Sequence, residues 1–175
     1  FVLSIIFLTG AALSEKLEYS NLVISEDETV VFDEDQLWLS GDILIDGELI
    51  IQNSHINVNL SLDFTITEIR INSTGKLNLI NTTVTAMENG STYTLVSDQG
   101  NVTIQDSQIY YGMIWLVGGN ATITNLSLDG YGLSNYGIFS EDTNLTASNI
   151  SSSSSISAEK IKFVFFVSLI FINLL

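Results

Sequence analysis

The sequence predicts an all-β fold in which the chain winds into about five stacked coils, a solenoid. Three observations carry that expectation: an apolar alternation recurring with Asn or Asp at a constant offset, no apolar spacing of helical period, and no proline anywhere in 175 residues. Proline has no backbone N–H, so a chain without it suits a structure in which most N–H groups donate to a sheet.

The recurring unit reads apolar, any, apolar, any, Asn or Asp, two residues, apolar. It occurs as Leu49, Ile51, Asn53, Ile56 and as Leu77, Leu79, Asn81, Val84. It returns as Val102, Ile104, Asp106, Ile109 and as Ala121, Ile123, Asn125, Leu128. A degenerate copy follows at Leu145, Ala147, Asn149, with Ser152 in the last apolar position. The Asn/Asp positions lie 28, 25, 19 and 24 residues apart, a solenoid period with loops of variable length.

Period-two alternation describes a strand with one face turned inward. No single copy can bury that face, so copies have to stack, and they pair in parallel because each enters its coil in the same direction. Asn tolerates a left-handed backbone and bonds to nearby backbone, which suits the corner after the second inward residue. Asn53, Asn81, Asp106, Asn125 and Asn149 are therefore expected to stack as a structural ladder, with Asn81, Asn125 and Asn149 buried.

With these residues in place, the coils resemble the right-handed parallel β-helix proteins of the pectin-lyase-like superfold over residues 36–150. Leucine-rich repeats differ, because their Asn falls three residues after the second Leu and here the interval is two. The expected organisation is a signal peptide at 1–14, an acidic cap over the first strand edge at 15–35, coils at 36–150, a serine-rich linker at 151–162 and a hydrophobic anchor or anchor signal at 163–175.

The ends justify that division. Phe1 to Leu8 is apolar, then come Gly10, Ala11, Ala12 and Ser14 before charge resumes at Glu15, the layout of an export segment and its cleavage zone. The chain starts with Phe and lacks a basic leading region, so the expectation is an N-terminally truncated signal peptide; the alternative is a buried first strand. At the other end Ser151 to Ser155, a spacer carrying Glu159, Lys160 and Lys162, and the apolar Phe163 to Leu175 match a glycolipid-anchor signal. As a helix that apolar tail rises about 20 Å, short of a ~30 Å hydrocarbon core. A truncated transmembrane helix is the alternative, although it would leave Lys160 and Lys162 on the exterior side. Either reading places the protein outside the cell, membrane-anchored through its C-terminal segment.

Charge and composition bound the partners. Twenty acidic residues against 5 basic ones give a formal charge of −15, which excludes nucleic acid and anionic lipid surfaces. No Cys and a single His, His55, exclude disulfides and a zinc centre built from thiolates or histidines, and no cofactor is expected.

Enzymes of the superfold that the coils resemble act mostly on acidic polysaccharides, with carboxylates or calcium on one strand face and Arg or Lys to engage a uronate. The carboxylates Asp98, Asp106 and Asp129 are scattered here, and Arg70 and Lys76 are the only bases in the coils. Arg70-Ile71-Asn72 is similar to the Arg-Ile-Lys of polygalacturonases, with Asn in the place of Lys and without that family's Gly-His-Gly. His55 reads as a loop residue between Asn53 and Ile56. Among Glu26, Asp27, Glu28, Asp33, Glu34 and Asp35, the last three are a calcium candidate, but they lack the Asp-x-Asp-x-Asp-Gly spacing, and a solvated cap is the simpler reading.

Nine Asn-x-Ser/Thr sequons occur where composition gives about three by chance. Outside the ladder they lie at Asn59, Asn72, Asn89, Asn101, Asn120 and Asn144, the glycosylation candidates, although strand alternation also generates Asn-x-Thr. Tyr110, Tyr111, Trp115, Tyr131 and Tyr136 concentrate in the later coils, where aromatic rings stack either on sugars or on one another. The function expected is a non-catalytic surface or secreted protein with a structural or adhesive role. The alternatives are a carbohydrate-binding module and a fragment of a polysaccharide lyase or hydrolase. Carbohydrate and another surface protein are the expected partners.

Overall fold

A computed structural model describes residues 5–7, 16–58, 67–86, 93–129, 136–153, 155–159 and 166–171. The first fifteen strands come in groups of three. The first group is β1 (Ile5–Phe7), β2 (Lys16–Tyr19) and β3 (Leu22–Ile24), and the second is β4 (Thr29–Asp33), β5 (Gln36–Leu39) and β6 (Ile43–Ile45). Next are β7 (Glu48–Gln52), β8 (His55–Val58) and β9 (Thr67–Ile71), then β10 (Lys76–Ile80), β11 (Thr83–Ala86) and β12 (Tyr93–Asp98). β13 (Asn101–Gln105), β14 (Gln108–Tyr110) and β15 (Gly112–Val117) follow. The remaining strands are β16 (Asn120–Asp129), β17 (Tyr136–Glu141), β18 (Asn144–Ser152), β19 (Ser155–Glu159) and β20 (Phe166–Phe171).

Each strand pairs with the strand that occupies the same place in the next group. Row one is β1-β4-β7-β10-β13-β16, row two is β2-β5-β8-β11-β14-β16, and row three is β3-β6-β9-β12-β15-β17-β19. β16 belongs to two rows because it crosses the corner without a break: Asn120–Thr124 pair with β13 and Ser127–Asp129 with β14. Every pairing among the described residues is parallel. The described residues are all-β, without a helix, in curled parallel sheets compatible with a β-solenoid.

The register puts like on like. Leu49, Leu77, Val102, Ala121 and Leu145 form one inward row, and Ile51, Leu79, Ile104, Ile123 and Ala147 the next, all buried. Each such side chain removed from water contributes roughly 1.5–3 kcal/mol, Ala less, and the sum is what holds short strands that could not stand alone.

Residues 16–35, expected as a cap, supply strands to both sheets. Val30 and Phe32 extend the two inward rows by pairing with Leu49 and Ile51. The pattern was hidden because Glu34, rather than Asn or Asp, occupies the corner, with φ 59°. Ile5–Phe7 and Phe166–Phe171, inside the segments expected as export signal and anchor, pair with β4 and β18 respectively. No helix among the described residues is long and apolar enough to cross a membrane.

Glycine shapes the corner before row one. Gly47, Gly75, Gly100 and Gly119 precede β7, β10, β13 and β16. A Cβ on Gly75 would lie 2.1 Å from the Ile45 carbonyl oxygen, and one on Gly119 would lie 2.2 Å from that of Gly100. The atom met is a backbone oxygen, so no side-chain rotation relieves the clash.

Candidate functional site

The corner residues follow strands that pair in register from coil to coil. Asn53, Asn81, Asp106, Asn125 and Asn149 all adopt the left-handed conformation, with φ between 48° and 53°. Nδ2 of Asn53 donates to Asp33 Oδ1 at 2.9 Å, and Nδ2 of Asn81 donates to Asn53 Oδ1 at 2.9 Å. Further along, Asn125 donates to Asp106 at 2.6 Å and Asn149 to Asn125 at 2.9 Å. The expectation that Asn81, Asn125 and Asn149 are buried is corrected: all three are exposed, because a left-handed corner turns its side chain out of the coil. The two carboxylates that accept these bonds, Asp33 and Asp106, hold their protons weakly. Donation from Asn53 and then Gln52 lowers the Asp33 carboxyl below its ordinary value, and donation from Asn125 and then Gln105 does the same to Asp106.

The residue after the corner turns inward. Ser54, Thr82 and Ser107 are buried there, and a hydroxyl fits because backbone carbonyls surround it. Thr82 Oγ1 lies 3.0 Å from the carbonyl oxygens of both Ile80 and Ile51, and Ser107 Oγ donates to Gln105 at 2.7 Å while accepting the Thr82 N–H at 3.2 Å.

A second ladder was not foreseen. Nδ2 of Asn120 donates to Asn101 Oδ1 at 2.9 Å, and Nδ2 of Asn144 donates to Asn120 Oδ1 at 3.0 Å. Three glycosylation candidates thus stack on successive coils, and in two of them the nitrogen that would carry the glycan is a ladder donor. A fourth, Asn72, donates to Asp46 Oδ1 at 2.7 Å. Asn59 and Asn89 lie outside the described residues.

Asp33, Glu34 and Asp35 do not converge. Asp33 faces the ladder amides, Glu34 is the exposed corner, and Asp35 is buried with its N–H donated to Ser54 Oγ at 3.1 Å. Among the described residues no three carboxylates or imidazoles gather as a metal site. His55, read as a loop residue, is instead the first residue of β8, half-buried and paired with Gln36 and Thr83.

The aromatic candidates do not share one row. Tyr110 faces outward from row two, its hydroxyl 2.8 Å from Gln108 Oε1, and Tyr111 packs at a corner with φ 60°. Tyr131 lies outside the described residues, and Tyr136 is described by its backbone in β17. Tyr93 points inward, and burial pushes its phenol well above the ordinary value. Trp115 stands in a groove, 43% exposed on the outer face of row three.

That outer face carries a column in strict register: Val23, Leu44, Arg70, Val96, Trp115 and Phe139. A groove of about 410 Å³ crosses β9, β12 and β15, with Val96, Met113, Trp115 and Val117 as its apolar floor and Thr94 beside them. Glu68, Arg70 and Asp98 line it, the first two joined by a 2.6 Å ion pair. Phe139 meets Trp115 edge-on, ring centroids 5.2 Å apart. The signal in the sequence was Met113-Ile114-Trp115-Leu116-Val117, a strand apolar on both faces where a solvated sheet alternates. Comparison with known protein families, curated proteins and solved structures finds no match for this chain.

Proposed function

We propose that this chain is a right-handed parallel β-helix of the pectin-lyase-like kind, exported and held at the cell surface, with a structural or adhesive role and no catalysis. The observation that supports this reading is where the polar side chains go: the two asparagine ladders spend amides along the stack, bonding coil to coil, instead of gathering them around a cleft. Repeated axial bonding of this kind suits a rod that keeps its shape while presenting a surface.

Polysaccharide cleavage is the competing reading, and carboxylate spacing speaks against it. Thr94 is opposite Glu68, and Asp98 lies four residues beyond it, so the Cα atoms of Glu68 and Asp98 are roughly 14 Å apart, too far for an acid and base pair. Asp98 and Glu141 fall two rungs apart in one column, roughly 10 Å, with Val117 in the rung between them, where a reacting oxygen would have to sit.

Incubating the protein with polygalacturonate and with neutral polysaccharides tests the absence of catalysis. No new reducing ends and no unsaturated products are expected; turnover abolished by Asp98→Asn would overturn the reading. For the address, surface labelling of intact cells should reach the protein, and a phosphoinositide-specific phospholipase should release it if residues 151–155 receive a glycolipid. Retention after that treatment selects the transmembrane alternative, and a soluble protein ending in an intact Leu175 contradicts both.

A further inference from the structure

We infer that the groove over β9, β12 and β15 binds a neutral glycan, with Trp115 as the stacking platform. The inference rests on the non-catalytic surface reading above and adds to it a ligand class and a site. Large apolar side chains held open to water on a sheet face mark a binding surface, and Trp115 stands open between Val96 and Phe139 in one column along the stack. Coils repeat at about 4.8 Å, close to the advance of one sugar in an extended hexose chain, so consecutive rings lie over consecutive rungs of that column.

The rim selects the ligand. The apolar C–H face of a hexose packs on an indole, while hydroxyls on its edge donate to carboxylates and accept from a guanidinium, and Glu68, Asp98 and Arg70 supply both kinds of partner. Arg70 is already neutralised by Glu68, which leaves the groove with the surplus charge of Asp98 in a chain of formal charge −15. A uronate is therefore repelled, and so is a second copy of this acidic chain.

The test uses the full chain, calorimetric titration and three probes: cellohexaose, mannohexaose and a galacturonate hexamer. At least one neutral probe should bind and the galacturonate should bind more weakly. Trp115→Ala should weaken the neutral probe by about tenfold or more, Trp115→Tyr should keep most of the affinity, and Thr103→Ala on row one should leave it unchanged. An unchanged β-sheet circular dichroism spectrum certifies each variant. Binding by neither neutral sugar, equal affinity in Trp115→Ala, or preference for galacturonate would overturn the inference. Cleavage of a bound sugar would instead sink the non-catalytic reading and leave the groove standing.

Discussion

Nδ2 of Asn81 donates to Oδ1 of Asn53 across 2.9 Å, and both residues hold the same left-handed conformation one coil apart. Two separate contributions meet in that pair: a backbone geometry that most residues resist, and an amide that bonds along the stack. Asn81→Leu loses both and should cost about 1–3 kcal/mol. Asn81→Gly keeps the geometry and loses only the amide, so it should fall between Asn81→Leu and the parent in chemical denaturation. Equal midpoints for parent and Asn81→Leu would reduce the column to coincidence.

Acid should weaken the ladder where its acceptor is a carboxylate. Asp33 and Asp106 have folded pKa values below the ordinary 3.8, so their contribution is present above that value and is lost as pH falls through the folded pKa. Protonation also relieves repulsion within this acidic chain, so the comparison has to be between variants. Melting temperature followed below about pH 4 should fall more steeply in the parent than in the Asp33→Asn, Asp106→Asn double variant. Parallel curves would remove these carboxylates from the account.

At the glycine corner, Gly75→Ala places a methyl 2.1 Å from a backbone oxygen of the coil below. Separating the coils enough to admit it should cost about 3 kcal/mol or more, a large effect for one carbon. Thr103→Ala, outward on the adjoining strand, should stay within about 0.5 kcal/mol of the parent. Similar urea midpoints for the two variants would mean that the coils are not in contact at Gly75.

What could be read from the sequence followed from alternation. Leu49 and Ile51 announce a row because every second residue between Leu49 and Asn53 obeys the pattern, and Asn53 marks its end. Glu34 concealed an earlier corner, since glutamate has no preference for the left-handed region. Ser54, Thr82 and Ser107 fall in the unassigned gap after the corner, and nothing local shows that carbonyls of the same coil and of its neighbour will satisfy a buried hydroxyl there. Asn101, Asn120 and Asn144 looked like glycan acceptors, and only their register revealed a ladder. The Trp115 groove draws on three coils whose third strands follow connections of unequal length, so spacing along the chain could not align Arg70, Val96 and Trp115.

Trapping by paired cysteines tests parallel, in-register stacking most directly, in a chain with no cysteine of its own. Thr103 and Thr122 are paired residues of β13 and β16, so their Cα atoms lie about 4.8 Å apart, within reach of a disulfide. Thr103 and Thr124 are out of register by two residues, about 8 Å apart and beyond reach. Mild oxidation should close an intramolecular bridge in Thr103→Cys, Thr122→Cys and leave Thr103→Cys, Thr124→Cys as free thiols. Bridging of the second pair and not the first would contradict the register and, with it, the stacked parallel coils.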